Sequence, residues 1–351
     1  MIAKTAQTRL VIGAVLFVAL AASVICQQTS TPTTIYRGSV GNSHVQMRLN
    51  IQGTNVSGVY SYDSIGEDIK LTGKLNDQGG LELTELNAKG KPNGKFTCKR
   101  RIADEVDSEC SWSKPDGTRE AFVTLSEQHV VSTNGLQLVP KTISNRKTGV
   151  GVSYPQISGG SAGAAGFNRR ILALTQAAIK EFSPIDEKGV FDTNYNVLLF
   201  TDNLISVEMT EYYDGGGAHP NNGFWSLTYD LSGNKELKLE DLFKPDTDYK
   251  SALAKFVVSD IDRRAAAFEE ENARSEGRKP KPREDPLITE DQLSELSGWA
   301  MTPKGLVIYF DFPHVIAVFD RTFIPYSVLS EHLKPNGPAA RFQSSGSTKG
   351  L

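Results

Sequence analysis

One imidazole in this chain is placed where it could do chemistry. His219 lies in Tyr212–Asn222, YYDGGGAHPNN, behind three consecutive glycines and in the only His-Pro step of the sequence. With Asp214 in the turn and Glu208 and Glu211 shortly before it, the ring could serve as a general base or a metal ligand, because imidazole titrates near neutrality and a carboxylate can orient it. An enzyme built on this spot would use His219 with Asp214. The plainer reading is structural. Gly215, Gly216 and Gly217 allow backbone angles that a Cβ forbids, His219 hydrogen-bonds locally to lock the turn, and Pro220 and Asn221 fix its exit. That reading leaves no catalytic residue.

Other reactive types give weaker patterns. Gly159–Gly163, GGSAG, fits GxSxG formally, but a nucleophile elbow needs an apolar strand running into it, and SYPQIS brings a proline and little apolar character. A turn explains it better. Glu240 and Asp241 form a carboxylate pair within LKLEDLF, where local hydrogen bonding in the following turn accounts for them as well as glycoside hydrolysis does. His44, His129, His314 and His332 are scattered without HxH or HExxH spacing, so neither a metal site nor a cofactor is expected.

The chain has 351 residues and a formal charge of −3, enough for two cores and too acidic for nucleic acid as the main partner. The basic run Arg278–Arg283 is broken by prolines and followed by Glu284 and Asp285, which reads as a solvated loop. At the N-terminus, Lys4 and Arg9 precede the apolar run Leu10–Ala22, with small residues at Ala19, Ala21, Ala22 and Ser23 for a signal peptidase. Residues 1–26 are read as a signal peptide, and the protein is expected to be exported to a periplasmic or extracellular location. Extended by Val24, Ile25 and Cys26, the run could instead be retained as an anchor. Only then would the protein meet a membrane. Cys26 offers lipidation as a third course, although Ile25 stands where such sites need a small side chain. Export makes Cys98 and Cys110 informative: two thiols flanking a polar turn between strand-like runs are expected to form a disulfide that stabilises by about 2–4 kcal/mol. A metal or redox pair would need more ligands or a CxxC spacing.

Hydrophobic periodicity supplies the elements. Over residues 36–127, IYRGSV, HVQMRLNI, VSGVYSY, IKLTGKL, LELTEL, GKFTC, CSWS and AFVTLS alternate apolar with polar residues between Gly, Asn and Asp turns. They predict an all-β meander, either a small barrel or a curled sheet, with Tyr60, Tyr62 and Trp112 as interior or rim aromatics and a packed interior. Gln128–Pro155 reads as a connection. Residues 150–334 then predict an α+β domain with an antiparallel sheet and two main helices. The first helix covers Asn168–Glu181, and Tyr195–Thr201 with Leu204–Tyr213 make a hairpin. Gly223–Asp230 is a strand, Asp248–Ala273 the second helix, and Trp299–Met301, Gly305–Phe312 and Val315–Pro325 complete the strands. The charged end of the second helix, AAAFEEENARSEGRK, is expected to project into solvent, and residues 335–351 to form a disordered tail.

This ordered set carries a resemblance over about Val152–Leu333. FNRRI, EYYDGGGAHPNN, FWSLTYDLSGNKELKLEDLF, WAMTPKGLVIYFDFPHVIAVF and FIPYSVL together resemble the paired bacterial domains of unknown function found beside polysaccharide deacetylases and in the extracellular region of a lysozyme-sensing anti-sigma factor. The most specific part is GGAHPN at Gly216–Asn221 followed by GxxxLxLxDLF at Gly233–Phe243. The β domain lies outside it, and neither a deacetylase domain nor a sigma-binding segment accompanies it. The resemblance therefore implies a non-catalytic, envelope-facing recognition module, with peptidoglycan or a lysozyme-like protein as partner. Its ligand contacts would fall on Tyr213, Gly216, Gly217, His219, Pro220 and Asn221. The alternative is an envelope polysaccharide hydrolase or deacetylase using His219.

Overall fold

Eight short strands follow one another from Thr33: β1 (Thr33–Val40), β2 (Ser43–Gln52), β3 (Asn55–Tyr62), β4 (Ile69–Leu75), β5 (Leu81–Leu86), β6 (Pro92–Cys98), β7 (Cys110–Ser113) and β8 (Glu120–Gln128). In the computed structural model, which describes residues 33–102, 110–131, 135–182, 189–283, 285–290 and 298–343, they pair in sequence order and β8 returns to β1. The meander is therefore a closed antiparallel barrel, an arrangement that leaves no strand edge. Alternation decides its filling. Val45, Met47 and Leu49 of β2 point inward, and with Tyr60, Leu71, Leu83, Phe96, Val123 and Leu125 they pack the interior. Cys98 and Cys110 stand opposite each other on β6 and β7 and are joined, S–S 2.03 Å. The leader, residues 1–26, and residues 103–109 between the cysteines lie outside the described residues.

The remaining chain builds a six-stranded sheet, ordered β14-β13-β12-β11-β10-β9. Its members are β9 (Gln137–Asn145), β10 (Val150–Ser158), β11 (Val190–Phe200), β12 (Leu204–Asp214), β13 (Asn221–Asp230) and β14 (Lys235–Glu236). Helix α1 (Ala162–Glu181) connects β10 to β11, and such a crossover is what a parallel pair requires. β10 and β11 are accordingly parallel, and every other neighbour pair is antiparallel. Odd-numbered residues of β12, Ile205, Val207 and Met209, face α1 with Phe167 and Ile171. The even-numbered face receives a three-stranded sheet of β15 (Gly298–Met301), β16 (Gly305–Tyr309) and β17 (Arg321–Pro325). Two serines bind it there. Ser206 Oγ accepts the Met301 N–H at 2.8 Å, and Ser226 Oγ donates to the Trp299 carbonyl at 2.7 Å. The second long helix, α2 (Tyr249–Ser275), shares a core with the small sheet through Leu253, Val257, Ile261, Ile308 and Ile324.

Four stretches differ from their sequence reading. Residues 128–155 are not a plain connection, because β9 and most of β10 lie there. Pro140 and Pro155 argue against strands by themselves, yet they stand directly opposite each other, so both missing N–H groups fall on one rung. Within Val315–Pro325 only Arg321–Pro325 is extended, and His314–Phe319 is a turn of 3₁₀ helix. The charged end of α2 does not simply project. Its Glu269 accepts Arg278 and the Lys281 N–H, Asp262 accepts the Leu287 N–H at 2.8 Å, and Ala273 is buried, so the basic loop folds back along the helix. Finally, residues 335–343 are packed rather than disordered. Beyond α3 (Tyr326–Leu329), Ala339 is buried, Phe342 of α4 (Ala340–Gln343) stacks on Tyr326, and Arg341 donates to Thr201 Oγ1 at 2.6 Å. Residues 344–351 lie outside the described residues.

The barrel is seated directly on the sheet, and the described residues from Thr33 onward group into one compact unit. Arg37 of β1, 1% exposed, holds Asp63 with both guanidinium nitrogens at 3.0 and 2.7 Å. The same side chain donates to Asn194 Oδ1 at 2.7 Å and lies over the Tyr195 ring at 3.7 Å. A guanidinium loses its water in such a place and persists only because pairing replaces it. His44 contacts Asp192 at 2.7 Å, and the chain leaving β8 continues along β11 through His129 N–H to Val197 O, 3.0 Å.

Candidate functional site: an aromatic and acidic cleft beside the glycine turn

The glycines of the turn have separate causes. At Gly215 a Cβ would come within 2.6 Å of the Tyr213 hydroxyl, so the ring occupies the side-chain position. Gly216 has φ +82°, which disfavours a side chain. Gly217 meets nothing within 4 Å. Asp214 Oδ1 accepts the Gly216 N–H at 3.0 Å, which commits this carboxylate to the turn. His219 is exposed, and its Nδ1 lies 3.1 Å from the Pro220 carbonyl. Because a carbonyl only accepts, that contact places the proton on Nδ1. The histidine and the aspartate thus each answer to local backbone.

Strand parity separates the two glutamates that precede the turn. Glu208 faces the small sheet, is buried, and accepts Tyr309 Oη at 2.6 Å and Asn196 Nδ2 at 2.9 Å, with Arg321 at 3.4 Å. Burial, reinforced by Glu208, pushes the Tyr309 phenol well up. Glu211 faces α1 instead, and no rotation of a side chain brings both carboxylates to one site. No group of three or more His, Cys, Asp or Glu side chains suited to a metal occurs among the described residues. The formal GxSxG is a helix entry: Ser161 Oγ accepts the Ala164 N–H at 3.0 Å as N-cap, and Gly163 lets α1 approach the Leu231 carbonyl. Asp241 likewise accepts the Lys238 N–H at 3.0 Å, closing the turn at LKLEDLF.

Beneath the glycine turn, a cleft of about 580 Å³ opens between the end of α1 and strands β12 and β13. Of the expected contacts, Tyr213 and Asn221 line it; Gly216, Gly217, His219 and Pro220 sit exposed on the turn outside it. The cleft's other features escaped the sequence reading: Phe182 and Glu181 at the end of α1, and Asn222 and Trp225 on β13. Phe182 stacks on Phe191 at 5.5 Å and meets Tyr213 edge-on at 5.4 Å. Trp225 Nε1 donates to Glu211 Oε1 at 2.6 Å. Burial raises the Glu211 pKa, the indole bond opposes that rise, and the charge of Glu181 adds to it. Trp225 shares its parity with the core residues Leu227 and Tyr229, and this alternation in FWSLTYD was the available signal.

Residues 240–320, which run from the turn before α2 through β16 to Asp320, match the family model described as "Protein of unknown function (DUF3298)", so a domain of that description is present. The cleft residues of α1, β12 and β13 precede that interval. Similar solved structures include a DUF3298 family protein from Pseudomonas aeruginosa PAO1, at 18% identity and TM-score 0.38 over 57% of this chain and 94% of that one. Another is a member of the same family from Bacteroides fragilis NCTC 9343, at 14% identity and TM-score 0.39 over 61% of this chain and 100% of that one. No curated protein matches. These descriptions mention neither deacetylases nor an anti-sigma factor.

Proposed function

We propose that this is an exported, non-catalytic binding protein of the cell envelope that recognises a wall glycan in the cleft between α1, β12 and β13. The observation that carries the reading is the composition of that cleft: the aromatic rings of Trp225, Tyr213 and Phe182 beside the polar groups of Glu211, Asn221 and Asn222. A sugar ring has apolar C–H faces and a rim of hydroxyls. It therefore needs an aromatic surface and a few directed polar groups together. The disulfide supports an oxidising compartment, and no helix among the described residues is long and apolar enough to cross a membrane. The separate engagements of Asp214 and His219 weigh against a catalytic pair.

Calorimetric titration of the mature protein with soluble peptidoglycan fragments and with lysozyme tests this. Binding of the fragments that Trp225→Ala abolishes is expected. Heat with lysozyme alone would make the partner a protein. Silence with both, alongside turnover of acetylated chitooligosaccharides that His219→Ala removes, would replace recognition by hydrolysis or deacetylation.

A further inference from the structure

The same cleft has a one-sided charge. Its lining includes Glu181, Glu211 and Glu236, and among the described lining residues there is no lysine, arginine or histidine. Glu236 is already answered by Arg170, which bonds both of its oxygens. Glu211 is not. Its Oε1 takes the Trp225 indole, while Oε2 has no hydrogen-bond partner among the described residues. Glu181 is the last residue of α1 and near enough to Glu211 to oppose its ionisation.

The helix adds to this field. α1 ends at the cleft, with Phe182 as its C-cap, and the unpaired carbonyls of a helix C-terminus carry a partial negative charge that favours cations. Aromatic faces also attract cations, at about 0.5–2 kcal/mol each depending on exposure. Two carboxylates, a helix C-terminus and three aromatic rings thus converge on one open space whose described lining residues include no lysine, arginine or histidine.

Resting on the glycan reading above, we infer that the cleft selects glycans bearing a free ammonium, amino sugars whose nitrogen is not acetylated. An ammonium offers three donors and a full charge, so it can bond Glu211 Oε2 and Glu181 at once and relieve their repulsion. An N-acetyl group brings one donor and no charge. It leaves the two carboxylates opposed.

The test uses the mature full chain with three probes at one ionic strength: a glucosamine tetramer, its fully N-acetylated counterpart and tetralysine. The glucosamine tetramer is expected to bind roughly tenfold or more tighter than the acetylated one, with a preference that added salt shrinks. Glu211→Gln, which keeps an acceptor for the indole, and Glu181→Gln, on the exposed end of the helix, should each reduce that preference while retaining a single cooperative thermal unfolding transition. Equal or tighter binding of the acetylated tetramer would overturn the inference and leave the glycan reading standing. Binding of neither sugar would overturn both. Tetralysine binding as tightly as the glucosamine tetramer would show that the ammonium need not sit on a sugar, and would overturn the inference in that respect.

Discussion

Two glutamates in this protein accept an indole N–H, Glu85 from Trp112 at 3.0 Å in the barrel and Glu211 from Trp225 at 2.6 Å in the cleft. Each stands opposite a glycine on the neighbouring strand, Gly94 and Gly223. What fills the glycine's vacancy differs. At Gly94 a Cβ would lie 2.5 Å from Trp112 Nε1, so the indole lies over the glycine, and Glu85 also receives Tyr60 Oη at 2.7 Å and Asn93 Nδ2. At Gly223 the nearest atom is Glu211 Oε2 itself, at 3.5 Å. The barrel carboxylate is enclosed by donors and has nothing left to offer. Among the described residues the cleft carboxylate has one donor, on Oε1. The same local device is a staple where its acceptors are used up, and it leaves a carboxylate oxygen to spare where they are not.

Emptying the staple should have the largest effect. Glu85→Leu leaves the Tyr60, Trp112 and Asn93 donors without their acceptor and is expected to cost about 3 kcal/mol in urea unfolding, whereas Glu211→Leu should change stability by less than about 1 kcal/mol. Equal losses at the two sites would erase the distinction. Next come the glycines. Gly94→Ala forces the indole and Glu85 apart and should destabilise by about 2 kcal/mol, while Gly223→Ala meets ordinary contact distances and should cost under about 0.5 kcal/mol; thermal melts of both variants decide this.

A smaller effect concerns pH. Because burial raises the Glu211 pKa in the folded chain, the folded state holds that proton more tightly than the unfolded one. Its contribution to stability is therefore greatest below the ordinary carboxylate range and falls as pH rises through the raised value. Unfolding of wild type and Glu211→Gln compared across acid to neutral pH should show wild type losing ground as pH rises; a gap that widens in its favour would reverse the assignment. The smallest change is expected at the most conspicuous residue. His219→Ala should leave both the unfolding midpoint and binding of soluble peptidoglycan fragments within error, and a measurable loss of binding would move the site from the cleft to the turn.

Regular alternation made the barrel legible, because period-two patterning in segments such as LELTEL states which face is buried without reference to the rest of the chain. The two long helices were legible for the same reason at their own period. The strand β9 was not, since Pro140 is unfavourable until Pro155 is placed across from it. Arg37 could not be read as buried from IYRGSV, because the groups that hold it, Asp63 and Asn194, are 26 and 157 residues away. The cleft was half legible: YYDGGGAHPNN marked its neighbourhood and supplied Tyr213 and Asn221, but the face on which Glu211 meets Trp225 and Glu181 depends on the β12–β13 register and the end of α1.

The amino-acid sequence by itself determined the local grammar of this protein: the strands of the barrel, the cysteine pair available to join two of them, the helices, and a turn that needs Gly215 for crowding and Gly216 for its backbone angle. These follow from interactions within a few residues or from a repeating period. Only the tertiary structure decided which carboxylates are spent and which are spare. The number of donors reaching Glu85, Glu208 and Glu211 is set by side chains that strand pairing and sheet packing bring together, and on that number depends whether a carboxylate is enclosed by donors or keeps an oxygen to spare.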